Sequence, residues 1–284
     1  MKLTFEVLFP ALRPWVVNLV NVWPAYIIKP QYANWEVLHI LSLTLLGGTA
    51  ILMNLRLLGA GITEEPPSEV YRNLRRWQDV GVFGIVASGI LIGMANAEKL
   101  YDSTAFVVKM IALVAGVVLT YGASRPVARA DGAVSTSAKA WFAVGVLIWI
   151  AGLAVFVTGN LVNVGVYHVI TAAALVTLAA TRGRLRWIYL IGLLAMVAIH
   201  QWITHVTYAD PFDLAHLDPV NKTFTWLYSI WIVAAALAQV YVAGRGRTRT
   251  AKGAAAGPLA ELIAYSTILV WVTGAAAGRW IAFA

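Results

Sequence analysis

The chain has 284 residues, of which 60% are hydrophobic and only 12% are charged. Soluble domains average about 25% charged residues, and the apolar residues here come in blocks of about 20, the length that spans a bilayer. This composition excludes an ordinary soluble domain and predicts an all-α, polytopic membrane helical bundle. The long unbroken apolar runs do not fit the alternating pattern of an outer-membrane barrel.

The sequence contains no cysteine and has a net charge of +8. Without cysteine there are no disulfides, iron–sulfur clusters or covalently attached c-type haem, so His, Met, carboxylate or backbone groups would have to hold any metal. Basic residues concentrate in alternate loops, as the positive-inside rule requires of a multi-pass protein in a bacterial cytoplasmic (inner) membrane. The charge therefore does not indicate nucleic acid binding, and its distribution predicts that both termini lie outside.

Residues 1–33 are expected to lie in the membrane interface as an amphipathic segment. Four prolines interrupt this stretch, and it lacks the clean apolar core ending in small residues that a cleavable signal has. Trp15, Trp23 and Tyr26 lie among aliphatic residues, which is typical of an interfacial helix.

Eight spans are predicted after this segment, separated by stretches rich in proline, glycine and charge. Residues 34–159 would form one four-helix unit and residues 160–284 a second. This division follows from similar stretches in the two halves, such as "LIWIAG" in the first and "LVWVTG" in the second. An even number of spans gives both units the same orientation, so we predict two parallel four-helix repeats. The expected bounds are 34–56, 77–97, 104–122, 140–158, 161–181, 187–207, 223–243 and 259–281.

Four polar side chains inside these spans are the best indication of function. At about 1.5 Å per residue, each lies roughly 8 to 10 Å in from the outer end of its span, so the four form one layer in the outer leaflet. An ionisable residue within the membrane is costly and marks a functional site by default. The four residues are His39, Lys109, His168 and His200.

One economical interpretation of this layer is a b-type haem. Two neutral imidazoles at equal depth on neighbouring helices can bind the iron from both faces, while apolar walls hold the porphyrin. A short loop joins the fifth and sixth spans, so His168 and His200 are the first choice as axial metal ligands. His39 is the equivalent candidate in the first repeat. Lys109 would pair with a propionate, act as a ligand or meet a carboxylate such as Glu36.

Other interpretations of the same layer stay open. A lone intramembrane histidine often only hydrogen-bonds a neighbouring helix, and an outward-facing polar cavity would suit a metal-ion permease. Small residues spaced as in Gly89–Gly93 and Gly274–Gly278 let helices approach closely, either within the chain or against another subunit.

The outer loop "YADPFDLAHLDPVNK" is long and acidic. A solvated loop is the simplest interpretation, but its length also suggests a docking surface, and its side chains could bind a metal ion. The candidate residues are Asp210, Asp213, His216 and Asp218.

The first half resembles a known family. After the amphipathic segment come "EVLHILSLTLLGGTAILMNLRLLG", with His39 and Arg56, and "AFVVKMIALVAG", with Lys109; the chain then ends in "VWVTGAAAGRWIAF", with Trp271 and Arg279. These stretches are similar to a family of small bacterial integral membrane proteins of unassigned function. That family is distantly similar to the copper-resistance D type membrane domain and to the membrane-bound, haem-dependent protoporphyrinogen oxidase. The resemblance implies a haem-type or redox role for His39 and Lys109.

The leading interpretation is an integral membrane protein with haem b that transfers electrons near the outer, periplasmic face. It would act between quinone or a membrane complex and a periplasmic redox partner, with membrane lipid around it and no nucleic acid partner. Acidic outer loops would favour a basic partner and salt-dependent association. The alternatives are a non-redox subunit that anchors or packs a larger complex, and a metal-ion permease. No nucleophile–base pair supports hydrolysis, and the sequence leaves open whether the protein is an enzyme.

Overall fold

The computed structural model describes residues 3–158, 164–207, 218–245 and 256–283. These ranges are helical nearly throughout and contain no β-strand. Seven of their helices are long and apolar enough to cross a membrane. The predicted all-α class is therefore confirmed, and the seven candidate spans fit a multi-pass membrane protein.

The N-terminal segment consists of short helices, α1 (Phe5–Leu8), α2 (Arg13–Asn18) and α3 (Ala25–Ile28), joined by single 3-10 turns. Its prolines keep the helices short, because proline lacks an N–H and is tolerated only in the first turn of a helix. Several large apolar side chains point outward, among them Trp15 at 62% and Trp23 at 68% exposure. That is the pattern expected of a segment lying in a membrane interface.

The helices α4 (Tyr32–Leu57) and α5 (Pro67–Ala95) pack against each other along their length. Glycines on α5 permit this contact: a Cβ atom on Gly81 would lie 2.6 Å from the backbone nitrogen of Leu46. The helix α5 begins ten residues before the predicted span, because its first turns are polar and the sequence prediction followed only the apolar stretch.

The helix α6 (Ala97–Tyr101) leads into α7 (Thr104–Val117), whose first turn is capped by Ser103. A π-helical segment, Val118–Ser124, continues α7 into α8 (Arg125–Arg129), and α9 (Thr136–Thr158) follows. The widened turn comes just before Pro126, whose missing N–H interrupts the regular hydrogen-bond ladder.

The remaining helices are α10 (Val164–Ala180), α11 (Gly183–Thr207), α12 (Asp218–Arg245) and α13 (Pro258–Trp280). The described apolar part of α10 is shorter than the other seven candidate spans, so an eighth span stays a prediction. The two-repeat arrangement and the outward orientation of both termini likewise stay predictions.

The helix α13 occupies the centre of the bundle. In its most apolar stretch 67% of the residues are buried, more than in any other candidate span of the described chain. It packs against α4, α7 and α9 on one side and against α10 and α12 on the other. Trp271 of α13 donates to Thr120 Oγ1 at 3.0 Å, and Trp149 of α9 donates to Thr273 Oγ1 at 2.9 Å. Through α13, helices from both predicted repeats share one core.

Candidate functional site

His39 is buried between α4 and α5, and Ser88 fixes its tautomer. Nδ1 of His39 lies 2.9 Å from Ser88 Oγ, and Ser88 Oγ donates to the carbonyl oxygen of Gly84 at 2.5 Å. Because the serine hydroxyl has a single proton, it must accept from the Nδ1–H of His39. The lone pair of the neutral imidazole is therefore on Nε2.

Lys109 reaches this lone pair from α7. Its Nζ lies 3.1 Å from Nε2 of His39 and donates to it. Gly89 makes room for the imidazole, because a Cβ there would lie 3.2 Å from Cε1 of His39. A Cβ on Gly278 would lie 3.5 Å from Cδ and Cε of Lys109, which is an ordinary packing distance. The small-residue motifs singled out in the sequence thus serve contacts within the chain.

His39 and Lys109 line a cavity of about 930 Å³, enclosed by the N-terminal segment, α4, α5, α6, α7 and α13. Its walls are mainly apolar and aromatic, with residues such as Phe5, Trp15 and Trp271. Ligand pockets are typically about 300–1,000 Å³, with apolar walls and a few polar groups that fix orientation. A cavity of this size and lining suits a large amphipathic ligand.

Besides His39 and Lys109, three residues with charged side chains line the cavity, Glu36, Lys99 and Arg279. Glu36 is exposed, and within the described residues it forms no ion pair with Lys109. The lysine contacts the histidine instead of the carboxylate that the sequence suggested as one alternative.

The N-terminal segment covers the cavity, and ion pairs stabilise it there. Arg13 NH1 lies 3.0 Å from Glu6 Oε2 and 3.1 Å from Asp102 Oδ1. The carboxylates of Glu6 and Asp102, which pair with the guanidinium, raise the pKa of Arg13 above its usual value. The hydroxyl of Tyr101 also donates to the carbonyl oxygen of Phe9. The segment is thereby attached to α6.

His200 lies in a different environment, between α11 and α12. Nδ1 lies 3.2 Å from the hydroxyl of Tyr228, and Nε2 lies 3.2 Å from Asn221 Oδ1. The ring also stacks on Phe224, with 4.2 Å between ring centroids and 6° between planes. Both ring nitrogens of His200 are therefore engaged by residues of α12.

His168 lies on α10 with an exposed side chain. The pairing of His168 with His200 as axial ligands stays a prediction. Within the described ranges, no group of three or more His, Asp or Glu side chains is arranged to hold a metal ion. Asp210, Asp213 and His216, and the side chain of Asp218, lie outside the described residues.

The structure also reveals polar contacts that the sequence did not indicate. Ser88 could not be distinguished from other serines inside spans. At the opposite end of α7, Arg125 NH1 lies 2.7 Å from Asp79 Oδ1, and its Nε donates to Gln78 Oε1 at 2.7 Å. The guanidinium also lies 4.0 Å above the centroid of the Tyr121 ring. An acidic residue at the start of a predicted span, Asp79, was the only signal for this cluster.

Residues 26–166 match the model of a family of unknown function, DUF6644. The matched stretch includes His39, Ser88 and Lys109 and ends before His168 and His200. No curated protein and no solved structure matches the chain. The distant similarity to the copper-resistance D domain and to the protoporphyrinogen oxidase is named by none of these comparisons and stays a prediction.

Proposed function

We propose that this chain is an integral membrane b-type haem protein that transfers electrons near the outer face of a bacterial cytoplasmic membrane. Its partners would be a quinone or membrane complex on one side and a periplasmic redox protein on the other. The observation that carries the proposal is the fixed tautomer of His39, a buried imidazole with its Nε2 lone pair at the wall of a cavity of about 930 Å³.

The residues around this cavity fit a haem. Histidines that bind a metal usually donate the other ring N–H to a fixed oxygen acceptor, and Ser88 already provides that acceptor. The apolar and aromatic walls suit a porphyrin face, while Lys109 and Arg279 supply cations for its two carboxylates. Bound there, haem would supply reversible one-electron chemistry.

Lys109 has a double role in this proposal. Without a ligand, its amine holds the Nε2 lone pair of His39 and keeps the imidazole from turning. Ligation of a metal by Nε2 would displace the amine, and Lys109 would then be available to a propionate.

The proposal assigns the haem to His39 in preference to the pair His168 and His200. Ligation by His200 would break its bond to Tyr228 or to Asn221, whereas His39 loses only the bond from Lys109. The acidic residues Glu98 and Asp102 beside the N-terminal segment are partly exposed and would contribute to docking of a basic redox partner.

The test is a dithionite-reduced minus oxidised absorbance spectrum of the purified protein from haem-replete cells. We expect a b-type α-band in the native chain and in His200→Ala, and its loss in His39→Ala. Ser42→Ala serves as a matched control, since Ser42 is also buried on α4 but donates its hydroxyl proton to the carbonyl oxygen of Leu38 in its own helix.

Three outcomes would count against the proposal. A featureless spectrum from the native chain would remove haem altogether and leave the packing-subunit and permease alternatives. Loss of the band in His200→Ala or His168→Ala, with the band intact in His39→Ala, would move the site to the second half of the chain. Metal uptake by reconstituted vesicles without an α-band would favour the permease.

A further inference from the structure

The helix α13 carries a buried carboxyl near the end opposite to the haem cavity. Glu261 lies in its first turn and is only 3% exposed, whereas Gly278, which contacts Lys109, lies in its last turn. In the described part of the chain, Oε1 of Glu261 has no hydrogen-bond partner. An ionised carboxylate is strongly disfavoured in such surroundings, whereas a protonated one is tolerated and becomes a donor.

Glu261 lines a cavity of about 20 Å³ together with Thr177, Thr181, Gln239 and Tyr265. A cavity of at least about 10–15 Å³ holds one water molecule if polar groups surround it. This cavity therefore has room for a single water and too little space for a hydrated metal ion.

Each hydroxyl that lines this cavity already donates its proton to a neighbouring oxygen. The hydroxyl of Tyr265 donates to the carbonyl oxygen of Ala173 at 3.1 Å, so the bond of 2.5 Å between Tyr265 and Thr177 is donated by Thr177. Thr181 Oγ1 donates to the carbonyl oxygen of Leu178 at 3.2 Å. These hydroxyls therefore have no proton left to donate to the carboxyl of Glu261.

One cation is close enough to influence Glu261. Arg182 interacts electrostatically with the carboxyl, and its guanidinium is held by the carbonyl oxygen of Leu58 at the end of α4, at 2.5 Å. Its backbone N–H also donates to Gln239 Oε1 of α12 at 3.2 Å. Among the described residues that line the cavity, Tyr265 is the other titratable group. The fixed positive charge of Arg182 disfavours a metal cation but stabilises a carboxylate when it forms.

We propose that Glu261 is a proton-binding site, in which the buried carboxyl exchanges one proton with solvent water. On release, the carboxyl O–H bond breaks, the proton passes to the water as hydronium, and the remaining carboxylate is stabilised by Arg182. On uptake the reverse occurs, and Glu261 becomes neutral. This site lies apart from the haem cavity and does not depend on haem being bound.

The test is an infrared titration of the full-length protein, following the C=O stretching band of a protonated carboxylic acid as the pH is raised. We expect one such band that disappears with rising pH in the native chain and is absent in Glu261→Gln at every pH. Glu64→Gln, an exposed carboxyl in the loop after α4, should leave the band unchanged. A native chain without a band sensitive to Glu261 would overturn the proposal.

Arg182→Gln provides a second reading in which Glu261 is retained. Loss of the positive charge should make the carboxylate less favourable, so the band should persist to higher pH than in the native chain. An unchanged midpoint, or a band that sodium ions abolish at constant pH, would contradict a proton site. His39→Ala should give the native titration, so failure of the haem proposal and failure of this one are separable.

Discussion

Ser88 of α5 accepts the Nδ1–H of His39 of α4 at 2.9 Å while donating its own proton to the carbonyl oxygen of Gly84. The chemistry available to His39 is thus decided by a neighbouring helix. A serine that donates within its own helix is left with acceptor capacity only, and this is why the imidazole cannot present Nδ1 to the cavity.

Replacing Ser88 with alanine should weaken haem binding without removing His39. The Nδ1–H would lose its acceptor and the ring its fixed orientation, and loss of such a partner typically lowers affinity about 10–100-fold. Haem titration of the purified apoprotein, followed by the α-band, measures the change. Ser42→Ala should bind haem as the native chain does. Equal weakening in both variants would show that the serine acts through packing alone.

Two glycine substitutions should differ in their effects on stability. A Cβ on Gly81 would lie 2.6 Å from the backbone of Leu46, and overpacking of this kind costs roughly 1–3 kcal/mol. A Cβ on Gly48 of α4 would meet nothing within 4 Å, and alanine there removes up to about 1 kcal/mol of unfavourable helix propensity. Thermal unfolding in detergent should place Gly81→Ala below the native chain and Gly48→Ala at or above it. Similar midpoints for both variants would contradict the close contact of α4 and α5.

Substitutions of Arg125 and of Asp79 should lower the free energy of unfolding by different amounts. The Arg125 side chain is 10% exposed and that of Asp79 is 52% exposed. Arg125→Met leaves Gln78 Oε1 without its donor and should cost about 1–3 kcal/mol. Asp79→Asn should cost less, because water reaches the aspartate and screens its ion pair. Urea unfolding in mixed micelles compares the two variants, and a larger loss in Asp79→Asn would show that the carboxylate is the essential member.

The attachment of the N-terminal segment should depend on salt. Arg13, Glu6 and Asp102 are all partly exposed, and at an ionic strength of about 1 M charges are screened within about 3 Å. High salt, or Arg13→Ala, should therefore increase hydrogen exchange in residues 3–31. Arg72→Ala is the matched control, because Arg72 pairs with Glu69 inside α5. Unchanged exchange in Arg13→Ala would mean that apolar contacts alone hold the segment over the cavity.

The sequence predicted those features that depend on neighbours in the chain. Apolar blocks and interrupting prolines located the long helices, and counting residues from span ends gave His39 and Lys109 a similar depth, at which they do meet. The contact between Lys109 and His39 could not be predicted in this way. Lys109 was expected to pair with a propionate, to act as a ligand or to meet a carboxylate such as Glu36. Its contact with His39 forms where α4 and α7 both pack against α13.

Features that depend on packing between distant segments were missed. Nothing local distinguishes Ser88 from Ser42, although Ser88 hydrogen-bonds His39 and Ser42 bonds the carbonyl oxygen of Leu38. The central position of α13 was also not predicted, since its apolar pattern resembles that of helices at the surface of the bundle. Glu261 did have a local signal, as a carboxyl inside a predicted span, but its burial became evident only when α10, α12 and α13 were seen together.

The bond between Trp271 and Thr120 joins residues 151 positions apart. In the order of synthesis, α4, α5 and α7 enter the membrane long before α13, which supplies Trp271, Gly274 and Gly278 to the cavity wall. Until α13 is inserted, the cavity lacks this part of its wall. A ligand that requires all of the walls would therefore bind only after α13 has been made and inserted.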